Sequence, residues 1–240
     1  MVRYGVLAVI IVALIFGFAL FRSNNNDDSS SASTTTAVTT TTRAVTYGGA
    51  PCPPATVSSP LLDFSDSFQK CIDDAKSYTA VFDTTEGEIR VKLDTQLTPI
   101  TSNNFVTLAR WKYYDNTQIF RTDTSIEIIQ GGSPHTNSAS DQGPGYTIPD
   151  EGGKFTYKPG QLVMARTSAP NSAGAQFFFV GGEKASSLDS QGTYVVFGQT
   201  DDAGLAVAKA ILALNQNDNS GLGGKPSRPV TVRSVTIVES

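Results

Sequence analysis

After residue 78 the chain carries apolar runs too short to be helices. Ile126–Ile129, Leu162–Ala165, Phe177–Val180 and Tyr194–Phe197 are each bounded by Gly, Pro, Asn or Ser. Runs of this length between turn-forming residues read as buried strands. Tyr78–Asp83 reads as another strand, and Thr84-Thr85-Glu86-Gly87 as a hairpin turn. Glu88 to Leu93 then alternates polar and apolar, as a half-buried strand does. Pro99 and Thr101-Ser102 open a helix through about Arg110, with Phe105, Leu108 and Ala109 on its inner face. Gly204–Leu214 places Leu205, Ala208, Ile211 and Leu212 at helical spacing, and Val230–Val238 reads as a closing strand. Many short strands with two helices point to a closed β-barrel capped by helices. No internal repeat is visible.

The segment before residue 78 has a different composition. Tyr4 to Phe21 is an apolar stretch between Arg3 and Arg22, at the lower limit for a membrane span. Two readings compete: an uncleaved anchor and a removed signal peptide. Gly17 and Ala19 give only a weak cleavage signal and large Phe21 and Arg22 follow closely, so the anchor is preferred over secretion after cleavage. Residues 22–47 are rich in Asn, Asp, Ser and Thr, and read as a disordered linker. Residues 48–77 form an extension holding both cysteines, Cys52 and Cys71. In an exported protein these read as one disulfide closing a loop of about twenty residues, worth roughly 3 kcal/mol. Two free thiols are the other reading. The expected organisation is therefore flank 1–3, anchor 4–21, linker 22–47, extension 48–77 and main domain 78–240. The body would stand on the extracytoplasmic side of the cell membrane.

The net charge of −4, without a basic face, gives no reason to expect nucleic acid. His135 is the only histidine and lies in a Ser-Pro-His-Thr loop, where a solvated residue is expected. With two cysteines and one histidine, no metal site or cofactor is expected. The Gly-rich Gln142–Tyr146 segment lacks the Gly-Lys-Ser/Thr ending of a phosphate loop and reads as a rim loop. What remains is a kit of one guanidinium, Arg121, two carboxamides, Gln130 and Gln176, and the aromatic run Phe177–Phe179. It is poorly suited to breaking covalent bonds and well suited to gripping a peptide.

From Tyr78 to Ser240 the chain resembles the cyclophilins, a family of peptidyl-prolyl cis–trans isomerases. The resemblance rests on motifs in order. They include Asn104-Phe105, Phe120-Arg121, Gln130-Gly131-Gly132, Gly143-Pro144-Gly145-Tyr146, Met164-Ala165, Gly174-Ala175-Gln176-Phe177-Phe178, Leu188-Asp189 and Val195-Val196-Phe197-Gly198. The extension and anchor are similar to those of exported actinobacterial members. The resemblance implies a closed antiparallel eight-stranded barrel with two helices. It implies that Arg121 is catalytic and that Gln130 orients it or contacts the peptide. Phe178 would form the floor of a proline pocket, with Ile128 and Leu188 as walls. Gln176, Ala165 and the backbone of Arg166 would bind the peptide, and Tyr194 stands where some members have a pocket histidine.

The physics agrees with that implication. Rotation about an amide costs ~18–20 kcal/mol, and X-Pro bonds exchange slowly between two populated isomers. A catalyst must hold the twisted amide better than either planar form. Twisting frees a lone pair on the prolyl nitrogen, to which a fixed, always charged guanidinium can donate.

Several departures bear on activity. Phe120 stands where His or Asn usually precedes the arginine. The segment from Arg121 to Gln130 is one residue longer than usual, so Ile126 or Glu127 replaces a pocket phenylalanine. Asp123 is close enough in sequence to pair with Arg121. Arg166 replaces a common Asn, and Ser187 stands where cyclosporin-sensitive members carry tryptophan. Lower activity or a shifted substrate preference, and weak or no cyclosporin binding, are expected. Two functional readings follow. One is an anchored isomerase acting on proline-containing polypeptides. The other is a proline-binding chaperone or scaffold with little catalysis. A purely structural envelope protein leaves the conjunction of Arg121, Gln130, Gln176 and Phe178 unexplained.

Overall fold

The computed structural model describes residues 45–218 and 221–240. The expected anchor and nearly all of the linker lie outside the described residues. Among these, no helix is long and apolar enough to cross a membrane.

Strands β1 (Tyr78–Thr84) and β2 (Gly87–Leu93) form the expected hairpin. Along β2, Ile89, Val91 and Leu93 are buried, while Glu88, Arg90 and Lys92 are exposed, as the alternation predicts. Helix α1 (Pro99–Arg110) keeps its expected bounds, with proline in its first turn. Its cap comes from far away in sequence. Thr98 makes no side-chain cap bond; instead the carboxylate of Glu151 accepts from the amides of Ile100 (3.1 Å) and Thr101 (2.5 Å). An acidic group at the positive end of a helix satisfies donors that the helix itself leaves open.

Helix α1 is buried on more than its inner face. Thr101 to Ala109 are all buried, because the Cys-containing extension covers the outer side. Asn103 Oδ1 accepts from the amides of Cys71 (2.6 Å) and Ile72 (3.2 Å), and its Nδ2 donates to the Gln69 carbonyl. Cys52 and Cys71 are joined as a disulfide. Phe64 and Phe68 of the extension lie against each other and against Tyr146, with Trp111 beside Phe64.

The remaining strands are β3 (Thr117–Gln118), β4 (Arg121–Asp123), β5 (Ile128–Gly131), β6 (Gln161–Met164), β7 (Phe177–Val180), β8 (Val196–Thr200), β9 (Asn215–Asn217), β10 (Gly224–Pro226) and β11 (Thr231–Glu239). A 3₁₀ helix spans Glu183–Leu188, and α2 spans Asp202–Leu212. The eleven strands join one antiparallel sheet in the order β3-β11-β1-β2-β8-β6-β7-β5-β4-β10-β9. Eleven strands in one curled sheet replace the expected closed eight-stranded barrel. The cause is local. Thr117–Asp123 is one run broken at Ile119-Phe120: its first part pairs with β11 and its second with β5. The short β9–β10 hairpin then adds to β4.

Inside the curl the core is aromatic. Phe82 touches Phe105, Phe177 and Phe179, and Phe105 stacks on Tyr114 at 4.9 Å between centroids. Phe177 and Phe179 are at most 1% exposed. They hold β7 rigidly, which fixes the residues on its opposite face.

Candidate functional site

Register brings the site together. Arg121 on β4 lies opposite Gln130 on β5, Gln130 opposite Phe178 on β7, and Phe178 opposite Val163 on β6. Directly paired residues in an antiparallel sheet share a face. The row therefore places a cation, a carboxamide and an aromatic ring side by side. Period-two alternation adds Ile128 from β5, Gln176 from the approach to β7, and Ala165 beyond β6. The Ala165 amide donates to the Gln176 carbonyl at 2.9 Å.

Phe178 is 3% exposed and lies 5.7 Å edge-on from the Tyr194 ring. Leu188, at the end of the 3₁₀ helix, and Tyr194 are partly buried against the same core as Ile128. Tyr194 is held in turn by Tyr157, whose hydroxyl donates to the Tyr194 carbonyl and accepts from its amide. Of the expected floor and walls, Phe178 and Tyr194 lie ring against ring, and Ile128 stands two residues from Gln130 on the neighbouring strand.

The guanidinium of Arg121 is held at three points. Its Nε donates to the Leu222 carbonyl (2.5 Å), Nη1 to Gln130 Oε1 (2.9 Å) and Nη2 to Asp123 Oδ2 (2.8 Å). The fork has five N–H donors, so two stay open among the described residues, one on each terminal nitrogen. Asp123 is nearly buried and also accepts from the Ser125 amide and hydroxyl. Burial pushes its carboxyl up, but the bonds from Ser125 and Arg121 outweigh burial and hold it below the ordinary range. The expected Asp123–Arg121 pair is therefore formed.

From Gln130 the bonding continues. Its Nε2 donates to Gln176 Oε1 (2.9 Å), and Gln176 Nε2 donates to the Ala139 carbonyl (3.3 Å). Gly132, two residues after Gln130, has φ +90°, and a Cβ there would stand 2.8 Å from the Ala175 carbonyl. Only glycine fits so close to the strand that carries Gln176.

Of the two candidates to replace the pocket phenylalanine, Glu127 goes elsewhere. Its φ is +52°, and its carboxylate accepts from the Lys184 amide and pairs with Lys184 Nζ. Ile126 is left, partly buried against the core. The Arg166 side chain also faces away from a peptide-binding role. It bonds Asp150, Thr193, Thr167 and Ala169, and clamps its own loop. Among the described residues no backbone hydrogen bond engages the Arg166 amide or carbonyl, the groups assigned to the peptide.

Sequence reasoning missed two contributors. Leu222 reaches Arg121 from the β9–β10 turn, a contact between distant segments. His135 is not a solvated loop residue: its side chain is only 17% exposed and stands between Asp141 and Asp63. A surface recess of about 800 Å³ is lined by residues including Lys92, Leu97 and Phe155, and by none of the residues assigned to the groove. Among the described residues, no His/Cys/Asp/Glu group is arranged to hold a metal ion.

Residues 79–237 match the family described as cyclophilin type peptidyl-prolyl cis-trans isomerase/CLD. A probable peptidyl-prolyl cis-trans isomerase B of Mycobacterium leprae is 31% identical over 183 residues, covering 68% of this chain and 58% of that protein. The Escherichia coli peptidyl-prolyl cis-trans isomerase B is 33% identical over 169 residues, 66% of this chain and 98% of its own. The chain thus spans little more than half the length of the mycobacterial relative it matches. A Cryptosporidium parvum cyclophilin-type isomerase, solved in the presence of the dipeptide Ala-Pro, superposes with a TM-score of 0.54 at 27% identity. That match covers 67% of this chain and 98% of the other.

Proposed function

Because this chain belongs to the cyclophilin-type peptidyl-prolyl cis–trans isomerase family, we propose that it accelerates X-Pro isomerisation in exported or envelope proteins. The observation that carries the reading is the row Arg121–Gln130–Phe178 across three paired strands. An apolar floor at Phe178, walled by Ile128, Leu188 and Tyr194, takes the prolyl ring. Ala165 and the backbone of Arg166 align the peptide, and Gln176 bonds its main chain.

The chemistry then falls to Arg121. As the amide twists, its resonance is lost and the prolyl nitrogen gains a lone pair. The two open N–H donors of a guanidinium already fixed at three points face little reorganisation when that lone pair appears. No proton is transferred, so no titrating catalyst is needed. Asp123 offsets part of the positive charge, which supports a modest rate compared with relatives lacking it. Ser187 and Tyr194 support weak or absent cyclosporin binding.

The Cys52–Cys71 disulfide supports an oxidising, extracytoplasmic setting. Residues 4–21 serve in this reading as a single-pass anchor in the cell membrane. External protease acting on intact cells then removes the 78–240 body while leaving the 4–21 segment with the membrane.

The test is exchange NMR on an Ala-Pro peptide with catalytic amounts of the protein. Faster cis–trans exchange is expected. Peptide binding without acceleration would instead establish the chaperone or scaffold reading.

A further inference from the structure

The extension before residue 78 is tied to the groove through the chain's only histidine. His135 Nδ1 lies 3.0 Å from Asp141 Oδ1, on its own loop, and Nε2 lies 3.3 Å from Asp63 Oδ1, on the extension. Nε2 is buried and makes no hydrogen bond, so its contact with Asp63 is electrostatic and needs the charged ring. Asp141, with its side chain fully buried, organises residues 133–146. It accepts from the amides of His135, Thr136 and Gly143 and from the Thr136 hydroxyl. The extension grips the same loop elsewhere: the Phe64 amide donates to the Pro144 carbonyl (2.9 Å), and Gln142 Nε2 donates to Asp63 Oδ1 (3.2 Å).

That loop ends the bonding chain that begins at the guanidinium. Arg121 donates to Gln130, Gln130 to Gln176, and Gln176 to the Ala139 carbonyl. Every link donates in the same direction, so each bond polarises the next. Ala139 is thereby tied to the Gln176 amide, and Gln176 to the Gln130 amide whose oxygen orients Arg121.

We propose that His135 is a positioning residue for the peptide groove: bridging Asp63 of the extension and Asp141 of the rim loop, it sets the Ala139–Gln176–Gln130 chain that aims Arg121. The proposal rests on the isomerase reading above. An imidazolium donates from both nitrogens and fits between two carboxylates, whereas a neutral ring donates from one only. Imidazole ordinarily changes charge between about pH 5 and 8. The titratable groups facing His135 are Asp63, Asp141 and, in the turn after α1, Tyr113, whose ring lies 6.4 Å away. Burial raises the Tyr113 phenol, so it stays neutral in this range. Burial raises the Asp141 carboxyl, but bonds from His135, Gly143 and Thr136 outweigh this and keep it ionised. The bridge is therefore tightest with the ring charged.

The experiment follows kcat/KM for an Ala-Pro peptide from pH 5 to 9 in the full chain. Side-chain amide signals of Gln130 and Gln176 are recorded over the same range. Wild type, His135→Gln, Asp63→Asn and Arg121→Ala are compared, with thermal melts confirming that each folds. The wild-type value is expected to fall about 2- to 30-fold as pH rises through the imidazole window, the range for residues coupled through a network. Both amide signals are expected to move with it. His135→Gln and Asp63→Asn are expected to give flat profiles near the high-pH level. Asp63 is surface-exposed, so the second variant tests the bridge even if the first unfolds. A wild-type profile retained in Asp63→Asn, or amide signals that do not follow the histidine, would overturn the proposal. Equal rates for wild type and Arg121→Ala would instead sink the isomerase reading, and the amide titration would still decide the bridge.

Discussion

Three acceptors around one guanidinium decide how much of Arg121 is left for a substrate. Leu222 and Gln130 hold its orientation without charge, whereas Asp123 holds it and offsets its charge. Asp123→Asn leaves the first two tethers in place and removes the negative charge. With orientation secured twice over, the charge term dominates. Two unit charges 4 Å apart at an effective dielectric of 20 interact by about 4 kcal/mol, of which a partial transition-state charge feels a fraction. We therefore expect Asp123→Asn to raise kcat/KM about 2- to 10-fold in the exchange assay. A tenfold loss would show that Asp123 is needed for orientation instead. At this scale much of the site was legible, because alternation along Gln176–Phe179 already separated the groove face from the core face. His135 was not, because Asp63 comes from a segment far away in sequence. Glu127 was ambiguous because only its positive φ and its bond to Lys184 reveal where it points.

Elements were read well where periodicity was strong and poorly where partners were distant. The bounds of α1 and β7 followed from their own sequences, yet the α1 cap, Glu151, could not be inferred from the helix. Replacing it by alanine is expected to cost about 1 kcal/mol in chemical denaturation, as lost caps do. Strands β3 and β4 were hidden because each has three residues or fewer and the apolar pair Ile119-Phe120 sits between them. The extension is held by its disulfide and by Phe64 and Phe68. Cys52→Ser with Cys71→Ser is expected to lower stability by roughly 3 kcal/mol, from the loop entropy returned to the unfolded chain. A loss below about 1 kcal/mol by the same measurement would show that aromatic packing alone seats it.

Acid sensitivity also belongs to elements, namely the end of β4 and the 133–146 loop. Asp123 and Asp141 both have carboxyls held below the ordinary value in the folded chain. Their contribution is present above the unfolded carboxyl value, about pH 4, and is lost as pH falls through the folded values. Stability is therefore expected to drop below about pH 4. Asp141→Asn should flatten that limb in melts recorded between pH 2 and 6. An unchanged limb would remove Asp141 from the account.

For the whole molecule, a mostly β fold with two helices followed from the length and spacing of apolar runs, but the strand count and the open ladder did not. Closure at Ile119-Phe120 depends on which neighbour each residue meets, and no local pattern encodes that. The extension, set apart by composition, packs on α1 and on the groove rim. The central claim remains that Arg121 stabilises the twisted amide over a proline floor. Its most direct test is the comparison of kcat/KM for X-Pro exchange in wild type and Arg121→Ala, both shown to be folded. Loss of a preorganised donor predicts a fall of about 100- to 1,000-fold with peptide affinity nearly kept. Equal rates in the two proteins would contradict the account.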